Sequence, residues 1–259
     1  MTNRIIHLLQ VSPKNLLSIY FTAGFPQLGD TRAVLKALQE SGADLVEIGI
    51  PFSDPIADGE TIQQSNQQAL DNGMTLKLLF EQLASMRQEI AMPVLLMGYI
   101  NPVLQFGVEA FCQNCQEVGV DGLILPDMPL EVYEEEYKEL FEQYGLLNIF
   151  LITPQTSNDR IHQIDYLSDG FIYMVSSASV TGAKSGISDD QEVYFKRVKS
   201  LGLKNPQLIG FGISNRETFL RATKHASGAI IGSAFVKILR QTSNLEKDIH
   251  TFIADIKNR

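Results

Sequence analysis

The sequence predicts an α/β protein of the (β/α)8 TIM-barrel class, with extra helices at the N and C termini. Three observations carry the prediction. Eight short apolar runs, rich in β-branched residues, recur along 259 residues. Their hydrophobicity is mostly continuous rather than alternating, as in parallel strands buried on both faces. Each run ends in a polar residue or a glycine and is followed by an amphipathic stretch, and eight strand–helix repeats in this length match a barrel. A doubly wound open sheet is the alternative. It would more often show fewer strands and an early G-x-G-x-x-G, which is absent. With no Pro/Ser-rich linker and no low-complexity tract, residues 1–259 read as one barrel domain.

The runs, in order, are "LLSIYFTAG", "LVEIGI", "PVLLMGY", "GLILPD", "NIFLIT", "GFIYMVS", "QLIGFG" and "GAIIGS". Between them "TRAVLKALQESG" puts Val34, Leu35 and Leu38 on one helical face and stops at Gly42. "LKLLFEQLASMRQEI", "GVEAFCQNCQEVG", "PLEVYEEEYKELFEQYG" and "SDDQEVYFKRVKSLG" read the same way. Three helices end before "GADL", "GVDG" and "GLLN", where glycine supplies the C-cap. "NRIIHLLQ" and "LEKDIHTFIADIKNR" are the terminal helices, one of which is expected to close the barrel floor.

Composition narrows the function. The formal charge is -9, and no Lys/Arg block offers a footprint for nucleic acid or an anionic membrane. An anionic ligand must be held by local groups such as backbone N–H. No apolar run approaches the roughly 18–20 residues of a membrane span. The N-terminal apolar patch is too short and interrupted for a signal peptide, so a cytoplasmic protein is expected. Cys112 and Cys115 form a CxxC, but with scattered histidines and no further cysteine they read as two small helix residues.

The polar residues that break the pattern sit where barrel strands end, and barrel active sites lie there. Tyr20 and Thr22 close the first strand, and Glu47 interrupts the second. Tyr99 and Asn101 follow the third, Asp127 ends the fourth, Thr153 the fifth, and Tyr173 lies in the sixth. Each alone has an ordinary explanation, such as a satisfied core tyrosine or an N-cap; their convergence on one rim points to a site. Glu47 among Leu45, Val46, Ile48 and Ile50 is costly to bury unless paired or used. Asp54 and Asp58 follow in "PFSDPIADGETIQQS", read as a long loop after the second strand. Two carboxylates in a half-buried pocket can divide acid and base roles.

Strands seven and eight end in "GFGIS" and "GSAFVK". Gly210 and Gly212 would let a ligand approach the backbone. Gly232–Ser233 opens a short helix whose free N–H groups and dipole favour an anion, where barrels often bind phosphate. The alternative is that these glycines only make tight turns. "SSASVTGAKSG" after strand six is too long for a minimal turn and reads as a lid, its Gly182 within reach of the phosphate. No Ser–His–Asp set, zinc-type cluster, Walker loop or clear Schiff-base lysine is visible, and Lys184 in the lid reads as solvated. The expected chemistry is acid–base work on a phosphorylated small molecule, without metal or covalent intermediate.

"VEIGIPFSDPIADGETIQ" closely resembles the signature of the tryptophan synthase alpha subunit family, and "FTAG", "LLMGYINP", "GVDGLILPDMP", "YMVSSASVTGAKSG", "GFGIS" and "AIIGSAFVK" follow in that family's order over nearly the whole chain. The resemblance implies a barrel lyase of tryptophan biosynthesis that cleaves indole-3-glycerol phosphate to indole and glyceraldehyde 3-phosphate. It implies a β-subunit partner in an αββα assembly, which carries pyridoxal phosphate and receives the indole, and no cofactor in this chain. The family's catalytic carboxylates fall on Glu47 and Asp58. Its indole pocket falls on Tyr20, Ile62, Tyr99, Asp127 and Tyr173. Its phosphate positions fall on Gly182, Gly212, Gly232 and Ser233, with Thr181 in the lid. The loop after strand two and the rim near Asn101–Pro102 are expected to meet the partner. The chain departs from the family at Glu60, where Pro is commoner, and at Ser177 and Ser179, where Arg and Gly are frequent.

On that resemblance Glu47 would give a proton to indole C3 and take one from the C3′ hydroxyl, while Asp58 stabilises the indolenine cation. Burial should raise the pKa of Glu47. Other readings are a sugar-phosphate isomerase barrel, a non-catalytic activating subunit and a free-standing indole-releasing lyase. The first lacks the "GIPFSDPIADG" loop, and retention of both carboxylates weighs against the second.

Overall fold

In the computed structural model, which describes residues 3–175, 189–210 and 212–258, each of the eight apolar runs forms a strand. They are Leu16–Thr22 (β1), Leu45–Gly49 (β2), Val94–Met97 (β3), Gly122–Ile124 (β4), Leu147–Asn148 (β5), Leu151–Ile152 (β6), Ile172–Val175 (β7), Gln207–Gly210 (β8) and Gly228–Ile231 (β9). β5 and β6 are two halves of one stave. β5 pairs with β4 and β6 with β7. The residues between them still bond outward, Ile149 N–H to Leu123 O at 2.8 Å and Phe150 O from Tyr173 N–H at 2.9 Å. β1 pairs in parallel with both β2 and β9, so the nine segments close as eight staves.

Apolar continuity along the strands arises because both faces are covered. The outward set, including Leu17, Ile19, Val46, Ile48, Leu96 and Ile209, packs under the helices. The inward set, Leu16, Leu45, Leu95, Ile124, Ile149, Phe171, Leu208 and Ile230, fills the barrel itself. Helix Arg4–Val11 closes the floor: Ile5 is fully buried in that interior set. Asn3 caps this helix through Ile5 N–H and donates to Asp121 O and Gly145 O. Helix Leu245–Lys257 instead packs outside, against Thr31–Ser41, and Lys257 pairs with Asp44 at 2.6 Å.

The three glycine stops hold, with Gly42, Gly119 and Gly145 at φ of 90°, 84° and 70°. Three segments differ from expectation. The stretch after β2 read as one long loop becomes helix Glu60–Asp71 from its tenth residue onward, with Gly59 as N-cap. Its polar composition hid a buried face of Ile62, Ser65, Asn66 and Ala69. Glu60 stands in its first turn, where a carboxylate favours the helix dipole and a proline would also fit. The segment "LKLLFEQLASMRQEI" is α-helical only over Leu76–Leu83, because Ser85 takes a left-handed turn at φ 60°, after which Met86–Gln88 forms a single 3-10 turn. A short helix Ile100–Phe106 follows β3 where only rim residues were expected. Cys112 and Cys115 are buried, unbonded helix residues, and burial raises both thiol pKa values.

Candidate active site

Strand register builds the centre. Tyr20 on β1 lies beside Glu47 on β2, which lies beside Leu95 on β3. Leu45 and Leu95 face the interior, so with a period of two Glu47 does also. It is fully buried. Its Oε1 accepts from the Ser18 hydroxyl at 2.7 Å, and its Oε2 has no hydrogen-bond partner among the described residues. Burial pushes its pKa up to about 7, and the Ser18 bond offsets only part of that rise.

Asp58 comes from the loop of residues 50–59, which Pro51 and Pro55 hold out of helix and strand. Burial raises its pKa to about 6, against hydrogen bonds from Tyr99 and Asn66. The Tyr99 hydroxyl also accepts from Ala57 N–H at 2.9 Å, and its ring lies 5.0 Å from that of Phe52. Tyr99 thus pins both ends of the Asp58 loop. Asn66 is 2 % exposed and sits on the buried face of Glu60–Asp71, one turn from Ile62.

Tyr20 and Tyr173 complete the inner wall. Burial, then the charge of Asp58, raises the Tyr20 hydroxyl pKa; burial, then Glu47 and Asp58, raises that of Tyr173. Both phenols therefore stay neutral beside the carboxylates. A hydroxyl chain runs from Tyr20 to Thr22 (3.4 Å) and from Thr22 to Ser65 (2.7 Å), with Ser65 donating to Ile62 O at 2.8 Å. Sequence reading missed Ser18, Ser65 and Asn66. Ser18 was legible as a hydroxyl two residues before Tyr20 on the same strand face; the other two lay in the helix read as loop.

The structure brings Glu47, Asp58, Tyr20, Tyr99, Tyr173 and Ile62 together. Asp127 lies further out: it is exposed and accepts from Ile100 N–H at 2.9 Å, capping helix Ile100–Phe106, though its charge still raises the Tyr99 pKa after burial, Asp58 and the Ala57 bond have acted. Gly210 corrects the expectation of ligand approach, since a Cβ there would fall 2.3 Å from the Tyr173 hydroxyl. Its bareness makes room for that phenol. Gly212 does need glycine, at φ 75°. Gly232 faces the barrel mouth, its Cβ direction 3.6 Å from the Tyr20 Cβ, and precedes helix Ser233–Gln241, which has no side-chain N-cap. Thr181, Gly182, Ser177, Ser179 and Lys184 lie outside the described residues. Among the described residues no group of three or more His, Cys, Asp or Glu could hold a metal ion.

The family model described as tryptophan synthase alpha chain matches residues 7–258. The chain belongs to the tryptophan synthase alpha chain family. The tryptophan synthase alpha chain of Flavobacterium johnsoniae is 58% identical over 255 residues, 98% of this chain and 100% of the relative. That of Flavobacterium psychrophilum is 59% identical over 98% of this chain and 99% of its own length. Among solved structures, a variant tryptophan synthase alpha-subunit from Pyrococcus furiosus superposes with a TM-score of 0.86 at 34% identity, covering 94% of this chain and 98% of that one. Tryptophan synthase from M. tuberculosis gives 0.86 at 26% identity, with 98% of each chain covered. The curled parallel sheet with its outer helices is therefore the barrel of this family. No helix among the described residues is long and apolar enough to cross a membrane.

Proposed function

We propose that Glu47 and Asp58 are the acid–base and electrostatic groups of the family reaction, the retro-aldol cleavage of indole-3-glycerol phosphate to indole and glyceraldehyde 3-phosphate. As a member of this family, the chain is a lyase of tryptophan biosynthesis, hands indole to a β subunit, and needs no cofactor of its own, since pyridoxal phosphate is carried by that partner. One solved structure to which the chain is similar is that of a tryptophan synthase complex from Pyrococcus furiosus.

The observation that carries the residue assignment is a fully buried carboxylate with one oxygen held and the other unpartnered. A proton on Oε2 goes to indole C3, and the ring becomes an indolenine cation. Glu47, now a carboxylate, takes the proton of the C3′ hydroxyl. The C3–C3′ bond breaks, its electrons return to the ring, and the hydroxyl carbon leaves as the aldehyde. A pKa of about 7 keeps both forms of Glu47 available near neutrality. Asp58 faces the ring N–H as an anion, and the neutral Tyr20 and Tyr173 phenols wall the indole without adding charge. Ile62 supplies apolar contact from Glu60–Asp71, and Asp127 holds the Tyr99 side of the rim.

The phosphate belongs at the ends of β8 and β9, beside Tyr20. Gly212, Gly232 and Ser233 offer backbone N–H groups, and helix Ser233–Gln241 adds its positive end. The same reading takes 1–259 as one domain in the cytoplasm, with the β subunit against the 50–59 loop and the rim at Asn101–Pro102. Ile56, 84% exposed, fits that surface. The test is the stoichiometry of indole and glyceraldehyde 3-phosphate released from indole-3-glycerol phosphate by wild type and Asp58→Asn. One-to-one release that the variant loses supports the reading; full activity in the variant removes Asp58 from the mechanism.

A further inference from the structure

The two oxygens of Glu47 are not equivalent. Ser18 and Glu47 are both fully buried, on adjacent strands of the barrel wall. The Ser18 hydroxyl donates to Oε1 at 2.7 Å, while Oε2 has no partner among the described residues. The ionisable groups near Glu47 are Tyr20 on β1 and Tyr173 on β7, both neutral, with Asp58 acting on those same two phenols from the loop. No cation is among the groups that act on Glu47. Among the described residues Ser18 is thus the one side chain that both fixes the carboxyl in place and stabilises its charged form.

We propose that Ser18 is a positioning residue for the proton transfers of Glu47, anchoring Oε1 so that Oε2 is the oxygen that gives and takes the proton. This rests on the reading of Glu47 as the acid–base group. A serine hydroxyl held as donor to Oε1 leaves that oxygen poorly placed to carry a proton, so the acid proton sits on Oε2. When Oε2 releases it, the same bond strengthens against the new charge and does not need to turn over. The carboxyl stays in one rotamer through both steps, which is what a group serving both indole C3 and the C3′ hydroxyl requires.

The test uses the full chain bound to its β subunit for kinetics, and the full chain carrying carboxyl-13C glutamate for titration. The Glu47 signal is the one that Glu47→Gln removes. Ser18→Ala should lower kcat for indole release on the order of tenfold, with KM within about twofold. It should also move the Glu47 titration upward from about 7. Ser18→Thr, which restores a hydroxyl, should recover both. If Ser18→Ala does not fold, the isosteric pair Ser18→Thr and Ser18→Val decides: a Thr variant more active than Val supports the anchor. Ser18→Ala with wild-type kcat and titration, or equal Thr and Val variants, overturns it while an inactive Glu47→Gln leaves the acid–base reading standing. An active Glu47→Gln brings down that reading instead.

Discussion

The Tyr20 hydroxyl occupies the space that Gly49 leaves open: a Cβ at position 49 would fall 2.2 Å from its oxygen and 2.6 Å from the ring carbon that bears it. The two residues sit on paired strands whose outward neighbours, Phe21 and Ile48, are fully buried, so neither backbone can withdraw. Gly49→Ala should destabilise the chain by about 1–3 kcal/mol, as overpacking does. It should also rotate Tyr20 out of the pocket and lower indole release. Urea unfolding and steady-state assay check both effects. An alanine variant with wild-type stability would mean that the strand pair yields.

Glu47 makes stability depend on pH in an unusual direction for a carboxylate. In the folded chain it holds its proton up to about 7, whereas unfolded it does so only to its ordinary 4.5. Between those values the folded state binds more protons, so this group lowers stability as pH rises, fully so above about 7. Glu47→Gln should therefore be more stable than wild type at pH 8, by up to about 3 kcal/mol, and close to wild type near pH 4. Urea titrations at the two pH values read the difference.

Tyr99 holds Asp58 in its charged form. Losing the phenol removes a bond that lowers the Asp58 pKa, which burial has already raised to about 6. If Asp58 must be ionised to face the indolenine, indole release falls as pH drops through about 6. Tyr99→Phe should shift that limb upward. It should also loosen the loop that Ala57 N–H ties down at 2.9 Å. An unmoved acid limb would detach Asp58 from the pH dependence.

The barrel floor offers a stability test away from the chemistry. Asp121 is 2% exposed and accepts from Arg87 at 2.6 Å, Arg4 at 3.0 Å and Val94 N–H at 2.8 Å. Asp121→Ala leaves the mostly buried Arg87 guanidinium without its carboxylate and should cost about 3–5 kcal/mol. At a temperature where the variant stays folded, kcat should hold. A large kcat loss in folded protein would show that floor and mouth are coupled.

The sequence spoke most clearly where burial is two-sided. Runs such as "LVEIGI" read as inner strands, and Glu47, a carboxylate in the middle of one, stood out against that background. Glycine stops at Gly42, Gly119 and Gly145 were readable because only a left-handed residue ends a helix that way. What stayed hidden depends on contacts between distant segments. Gly210 looks like a ligand turn until Tyr173 is seen to fill the space above it. Helix Glu60–Asp71, with five Gln or Asn residues in twelve, carries too weak an apolar stripe to be seen, yet it delivers Asn66 to Asp58 and Ser65 to Thr22. Ser18 shows in the sequence as a hydroxyl on the Tyr20 face of its strand, but its partner Glu47 comes alongside only in the fold.

The most direct measurement is indole release from indole-3-glycerol phosphate by wild type and Glu47→Gln, each with and without a β subunit. The expected result is wild-type cleavage that the partner accelerates, and a loss of roughly 10²–10⁴-fold in the folded variant under both conditions. Cleavage by Glu47→Gln at near wild-type rate would contradict the assignment of the buried carboxylate as the proton-transfer group.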